Sequence, residues 1–169
     1  GINLPQGIIR QSVEKFGGIS VVDKSGVVYT SPYAVTTIVN QILRQKVAAG
    51  VTDIELRNPK GLYTLASGLE GMVNITVHGD VGNFFASSCN VDGTLTIYGT
   101  AENGLANQGY KGTVVVHGLV TELAGQTNQG VDILVLRRAT ERIMAQARGG
   151  SLVAFGVGHS SGLYMNEGL

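Results

Sequence analysis

The sequence predicts an all-β chain wound as a single-stranded parallel β-helix, and three observations predict it. Short runs of β-forming residues close on a marker at positions 79, 99, 118, 137 and 156, with a first step of 20 residues and then three of 19. Two and four residues before these markers stand Ile75 and Val77, Leu95 and Ile97, Val114 and Val116, Ile133 and Val135, Leu152 and Ala154, all of them apolar. The third observation is compositional: 25 of 169 residues are glycine and 14% are charged, about double the usual glycine share and about half the usual charge. Hairpin strands would return every 8–12 residues or so. A fixed longer period makes each repeat one coil of a solenoid.

In chain order, "ISVVDKSGVVYT" (19–30) reads as two short strands around Asp23-Lys24-Ser25-Gly26, a cluster of turn formers. A helix over 31–50 follows. Ser31 is its N-cap, Pro32 fits the first position, where an N–H is not needed, and Gly50 stands where a helix closes. Val35, Ile38, Val39, Ile42, Leu43 and Val47 fall on one face at helical spacing. Residues 1–50 therefore form a small α/β lead-in, whose first 18 residues carry no distinct signal, and 51–169 form the β-helix. "DIELRNP" (53–59) already follows the coil pattern through Ile54 and Leu56, so a lead-in coil is expected.

Strand alternation then puts Thr76, His78, Thr96, Tyr98, Val115 and His117 on the outside. Small residues recur two and seven positions after the markers, among them Ala86, Ala101, Ala106, Gly125 and Ala139. They suit corners where stacked backbones approach closely. Asp92-Gly93 is a hairpin signal taken alone, but four matching intervals outweigh it.

Composition also narrows function. Twelve basic and twelve acidic residues cancel, and no basic patch is interleaved with aromatics, which argues against nucleic acid or an anionic membrane as partner. The uncharged run 25–43 contains Pro32, Asn40 and Gln41, unlike a membrane span. A single cysteine, Cys89, permits no internal disulfide, and no signal peptide is evident, so a cytoplasmic location is expected. Cys89 has no basic neighbour in sequence and reads as a buried, inert thiol.

Motifs that carry chemistry fail on context. "GHSSG" (158–162) satisfies G-x-S-x-G and nominates Ser160, yet that motif needs a following helix, then an acid and a histidine. No histidine follows Gly162. "GVGHSSG" is one residue too long for a dinucleotide fingerprint. His78 and His117 share an outward column two coils apart with Tyr98 between them, about 9.6 Å at ~4.8 Å per rung, too far to share a zinc. "RRATER" (137–142) reads as a solvated corner balanced by Glu141, with an anionic partner as the alternative. No catalytic, cofactor-binding or metal-binding residue is assigned on this chain.

The coils "GDVGNFFASSCNVDGTLTIYG" and "GTVVVHGLVTELAGQTNQG", with the lead-in "VTDIELRNPKGLYTLASGLEG", resemble the GXGXG domain of glutamate synthase. The resemblance covers roughly residues 31–156 and extends to the stand-alone subunits of split archaeal glutamate synthases and of methylamine–glutamate N-methyltransferase-type complexes. Gly82 keeps the second glycine of the pattern, which becomes Glu102, Thr121 and Thr140 in later coils, while Arg137 interrupts the marker column. The resemblance implies a right-handed β-helix acting as a non-catalytic brace. Glutamine amidotransferase-like and FMN-binding synthase-like subunits would be the partners, and FMN and an iron–sulfur cluster would sit on those chains. Self-association stays open. The alternatives are a structural subunit of another redox complex, such as formylmethanofuran dehydrogenase, which has a related β-helix, and a stand-alone carbohydrate-acting β-helix enzyme.

One column raises its own question. The outward ladder starts polar at Thr76 and His78 and ends at Leu134, Leu136, Val153 and Phe155. Four large apolar side chains on an outer face need cover. Either the apolar face of the 35–47 helix folds back over them, or a partner subunit docks there.

Overall fold

The computed structural model describes residues 9–10, 20–22, 28–29 and 32–165, with side chains from Val35 onward. Strands β1 (Ile9–Arg10), β2 (Ser20–Val22) and β3 (Val28–Tyr29) pair antiparallel in that order. β2 and β3 flank the expected turn, whose residues 23–26 lie outside the described set, as does the proposed cap Ser31. β1 falls in the stretch without a sequence signal, because two residues are too few to show a period.

Helix α1 (Pro32–Ala48) ends as its glycine requires. Gly50 has φ of +83°, its N–H donates to the Val47 carbonyl and the N–H of Val51 donates to that of Lys46. That pair of bonds is the Schellman closure, for which a left-handed glycine is suited. Val35, Val39 and Leu43 are buried in the solenoid's own core, with Ile38, Ile42 and Val47 packed against it.

The solenoid is built on β4 (Asp53–Arg57), β5 (Glu70–Gly71), β6 (Asn74–His78), β7 (Asn90–Tyr98), β8 (Lys111–Val116), β9 (Val131–Arg138) and β10 (Ser151–Gly156). The order β10-β9-β8-β7-β6-β4 is parallel throughout, and β5 pairs with the first part of β7. Ile54, Ile75, Leu95, Val114, Ile133 and Leu152 stand directly above one another. The chain is therefore a parallel β-helix of about five turns with a lead-in coil. The inward residues are buried from Ile54 through Val135, while Leu152 and Ala154 on the terminal strand are half-buried. Val81, Ala101, Val120 and Ala139 form a second buried parallel ladder.

At Gly99 and Gly118 the marker must be glycine because backbones stack on it. A Cβ on Gly99 would fall well inside 3.0 Å of the Gly79 carbonyl, and one on Gly118 equally close to the Gly99 carbonyl. One detail of the repeat is corrected. Gly156 pairs with Arg138, not Arg137, because the register slips after Ala154; Arg137 stays level with Gly118, since Val120 pairs with Ala139 two residues further on. As the matching intervals indicate, Asp92-Gly93 is not a hairpin. It lies within β7 where the register with β8 shifts between Asn90 and Thr94, an insertion in one strand.

The small residues seven positions after the markers answer to conformation more than to backbone contact. Ala66, Ala86, Ala106, Gly125 and Met144 all have positive φ. They are flanked two residues away on each side by further left-handed residues, Thr64 and Gly68 in the first coil, Phe84 and Ser88 in the next, then Gly104 and Gln108, Leu123 and Thr127, Arg142 and Gln146. Alternation of φ sign turns each coil back on itself, and the resulting N–H groups bond along the solenoid axis. Ala86, Ala106, Gly125 and Met144 donate to the carbonyls of Leu65, Phe85, Leu105 and Ala124 in the preceding coil.

The first coil has no preceding coil, and α1 supplies what is missing. The Asn40 side-chain oxygen accepts from the N–H of Ala66 at 2.8 Å, and its amide donates to the Thr64 carbonyl at 2.8 Å. Arg44 donates to the Ser67 carbonyl at 2.9 Å. The helix thus satisfies backbone groups that burial would otherwise leave unpaired, and it covers the core from the same side.

Candidate functional site

The outward face of the long sheet carries two columns. One runs in register through Glu55, Thr76, Thr96, Val115, Leu134 and Val153; the other starts in register at Arg57, His78 and Tyr98, continues to His117 by ring stacking, and ends near Leu136 and Phe155, where the register shifts. At the polar end Arg57 donates to Glu55 at 2.6 Å and holds its carboxyl below the usual range. Next along, His78, Tyr98 and His117 stack ring on ring, with centroids 5.6 Å and then 4.3 Å apart. Tyr98 fills the space between the two histidines, as the rung spacing requires. His78 Nε2 lies 3.9 Å from Glu55, beyond hydrogen-bonding distance. Among the described residues no three His, Cys, Asp or Glu side chains gather as a metal site would need.

The other end of this face is apolar and uncovered. Leu134 is 37% exposed, Val153 61% and Phe155 87%. Of the two explanations for this column, cover by α1 is overturned, because the helix spends its apolar face on the first coil.

Ser160 does not sit at a strand-to-helix elbow. It has φ of +59° in the last corner, where Thr64, Phe84, Gly104, Leu123 and Arg142 stand in earlier coils. The segment continues as turn through Tyr164. The Arg142 N–H donates to the His159 carbonyl, so the residues of the motif serve the stacking of coils. In "RRATER" the balancing acid differs from the one expected: Arg142 pairs across coils with Glu122 at 3.7 Å.

Cys89 is fully buried, and burial pushes its thiol up to about 11 from an ordinary 9.0. The native chain is therefore expected to resist iodoacetamide at about pH 8.5 and to alkylate once unfolded in urea, because the thiolate is the nucleophile. The sign of the pH dependence follows from linkage. A raised native value means that the stabilisation is complete below about pH 9 and is lost as pH climbs towards 11. Urea midpoints should fall over that interval in the native sequence and fall less in Cys89→Ala.

Sequence reasoning missed a groove of about 680 Å3 lined by Gln108, Tyr110, Thr127, Gln129, Gln146, Arg148 and Tyr164. It follows two columns up successive coils, Gln108–Thr127–Gln146–Tyr164 and Tyr110–Gln129–Arg148. The same 19-residue register, carried past the strands into the corner, would have revealed them. Among the described residues no helix is long and apolar enough to cross a membrane.

Comparison with known proteins gives one short similarity. Protein GlxC of Rhizobium meliloti (strain 1021) is 37% identical over 62 residues, 37% of this chain. The match spans about a quarter of the length of that relative, 27%. No known protein-family description matches the chain, and no solved structure matches it.

Proposed function

We propose that this chain is a non-catalytic structural subunit or domain of a glutamate synthase-like, FMN-dependent amidotransferase–oxidoreductase complex in the cytoplasm. Its partners would be a glutamine amidotransferase-like and an FMN-binding synthase-like chain, with FMN and an iron–sulfur cluster bound there. One observation carries this reading: the solenoid leaves Leu134, Val153 and Phe155 exposed, with Leu136 half-buried among them, as an apolar strip on a sheet face whose own helix is committed elsewhere. Patches of this kind on folded chains mark interaction surfaces. The short similarity to Protein GlxC, a name of a glutamate synthase-related subunit, supports the choice of complex.

The test is Leu136→Lys combined with Phe155→Lys. Phe155 is exposed, where a substitution changes stability by only about 0.5 kcal/mol, and Leu136 is half-buried, so an unchanged circular dichroism spectrum of the double variant is the control for its fold. Co-purification with an FMN-binding partner should be lost. A double variant that assembles normally would exclude this face as the docking surface. Capture of a molybdopterin- or tungsten-containing partner instead would move the chain to the other redox complex.

A further inference from the structure

The groove beyond the sheet has a chemistry that bracing does not use. Gln108, Thr127 and Gln146 repeat one per coil, about 4.8 Å apart, and Tyr164 continues their column into the last coil. Tyr110, Gln129 and Arg148 run beside them. The site is therefore long and shallow, a track across four coils. Its rings are open to solvent, with Tyr110 and Tyr164 both exposed on the two edges of the track.

Seven side chains line it: three carboxamides, one hydroxyl, two phenols and one guanidinium, with no carboxylate among them. The described ion pairs use Arg57, Lys111 and Arg142, while the guanidinium of Arg148 enters none. The groove thus holds one unneutralised planar cation. A guanidinium prefers a carboxylate, which it can bind through two parallel N–H bonds. Carboxamides donate and accept at once, the pairing that hydroxyl groups need. Exposed aromatic faces take up the C–H side of a ring that is otherwise polar.

We propose that this groove binds a short acidic saccharide lying along the solenoid axis, with one uronic carboxylate on Arg148, hydroxyls on Gln108, Gln129 and Gln146, and sugar faces on Tyr110 and Tyr164. The lining offers neither a carboxylic acid nor a histidine, and what is proposed is binding. This inference is independent of the docking face, which lies on the strands.

Titration calorimetry of the full chain with trigalacturonate tests it, beside the fully methyl-esterified trimer and free glutamate as probes. Saturable binding of the acidic trimer is expected, at least tenfold tighter than either control. Arg148→Gln should weaken it at least tenfold and bring acid and ester to the same level. Tyr110→Ala with Tyr164→Ala should weaken acid and ester alike. All of these side chains are exposed, and an unchanged circular dichroism spectrum verifies each fold. No saturable binding up to millimolar trimer overturns the proposal, as does binding that Arg148→Gln leaves untouched. Glutamate binding as tightly as the trimer would mean recognition of any carboxylate, and the saccharide assignment would fall.

Discussion

Val116→Asp is expected to abolish cooperative folding, while Thr96→Asp, one coil away and facing outward, should melt close to the native chain. Val116 is 0% exposed and sits between Ile97 and Val135 in the inward ladder. An aspartate there has no charged or hydrogen-bonding partner in reach, and burying such a group costs several kcal/mol or forces it to take up a proton. That is of the order of the whole stability of a domain, about 5–15 kcal/mol. If the aspartate variant is too insoluble to measure, Val116→Thr keeps the shape and replaces one methyl with a hydroxyl. It should lower the unfolding free energy by about 1–3 kcal/mol, read from urea denaturation. Equal melting temperatures for the aspartate variants at 116 and 96 would mean that the two faces of the sheet are exchanged.

The second large effect comes from the glycine column. Gly118→Ala places a Cβ against the Gly99 carbonyl and the Thr100 nitrogen, both backbone atoms of the coil beneath. Backbone cannot rotate aside as a side chain can, so two rungs must separate. Overpacking usually costs about 1–3 kcal/mol, and this site should lie at the upper end. Gly156→Ala is the control: its nearest neighbour would be the Arg138 side chain at 3.9 Å, ordinary contact. Chemical denaturation of the two variants compares them directly. A Gly118→Ala chain as stable as Gly156→Ala would show that the marker column is not held by backbone contact.

How far the fold was legible depends on which physical signal each part carries. The strands were readable because every coil repeats one demand, two apolar residues inward, and Ile75, Leu95, Val114 and Ile133 all meet it. The helix was readable from Pro32, Gly50 and its apolar face, but not its destination. Nothing in the spacing of Val35, Val39 and Leu43 says whether they cover an end or a side. Asn40 gave no hint either, because an asparagine that replaces a missing coil looks like any polar residue on a helix. The left-handed corners were hidden for another reason. Glycine announces such a conformation, but Thr64, Phe84, Leu123 and Arg142 adopt it too, held by bonds to the next coil. Of the candidate sites, the apolar strip was visible as a trend along one column. The groove was not, since Gln108, Thr127 and Gln146 share a position but no hydrophobic period.

The closure of the first coil by Asn40 and Arg44 makes the two ends of the solenoid unequal. With one end sealed by a helix, length is measured from a fixed origin, and every coil adds the same increment, about 4.8 Å. The apolar strip on the late coils then lies at a distance from α1 that is set by coil number alone. Inserting or deleting one 19-residue repeat in the middle would leave both ends chemically intact and slide one against the other by a single rung. The chain is, in that sense, a ruler with its zero at α1.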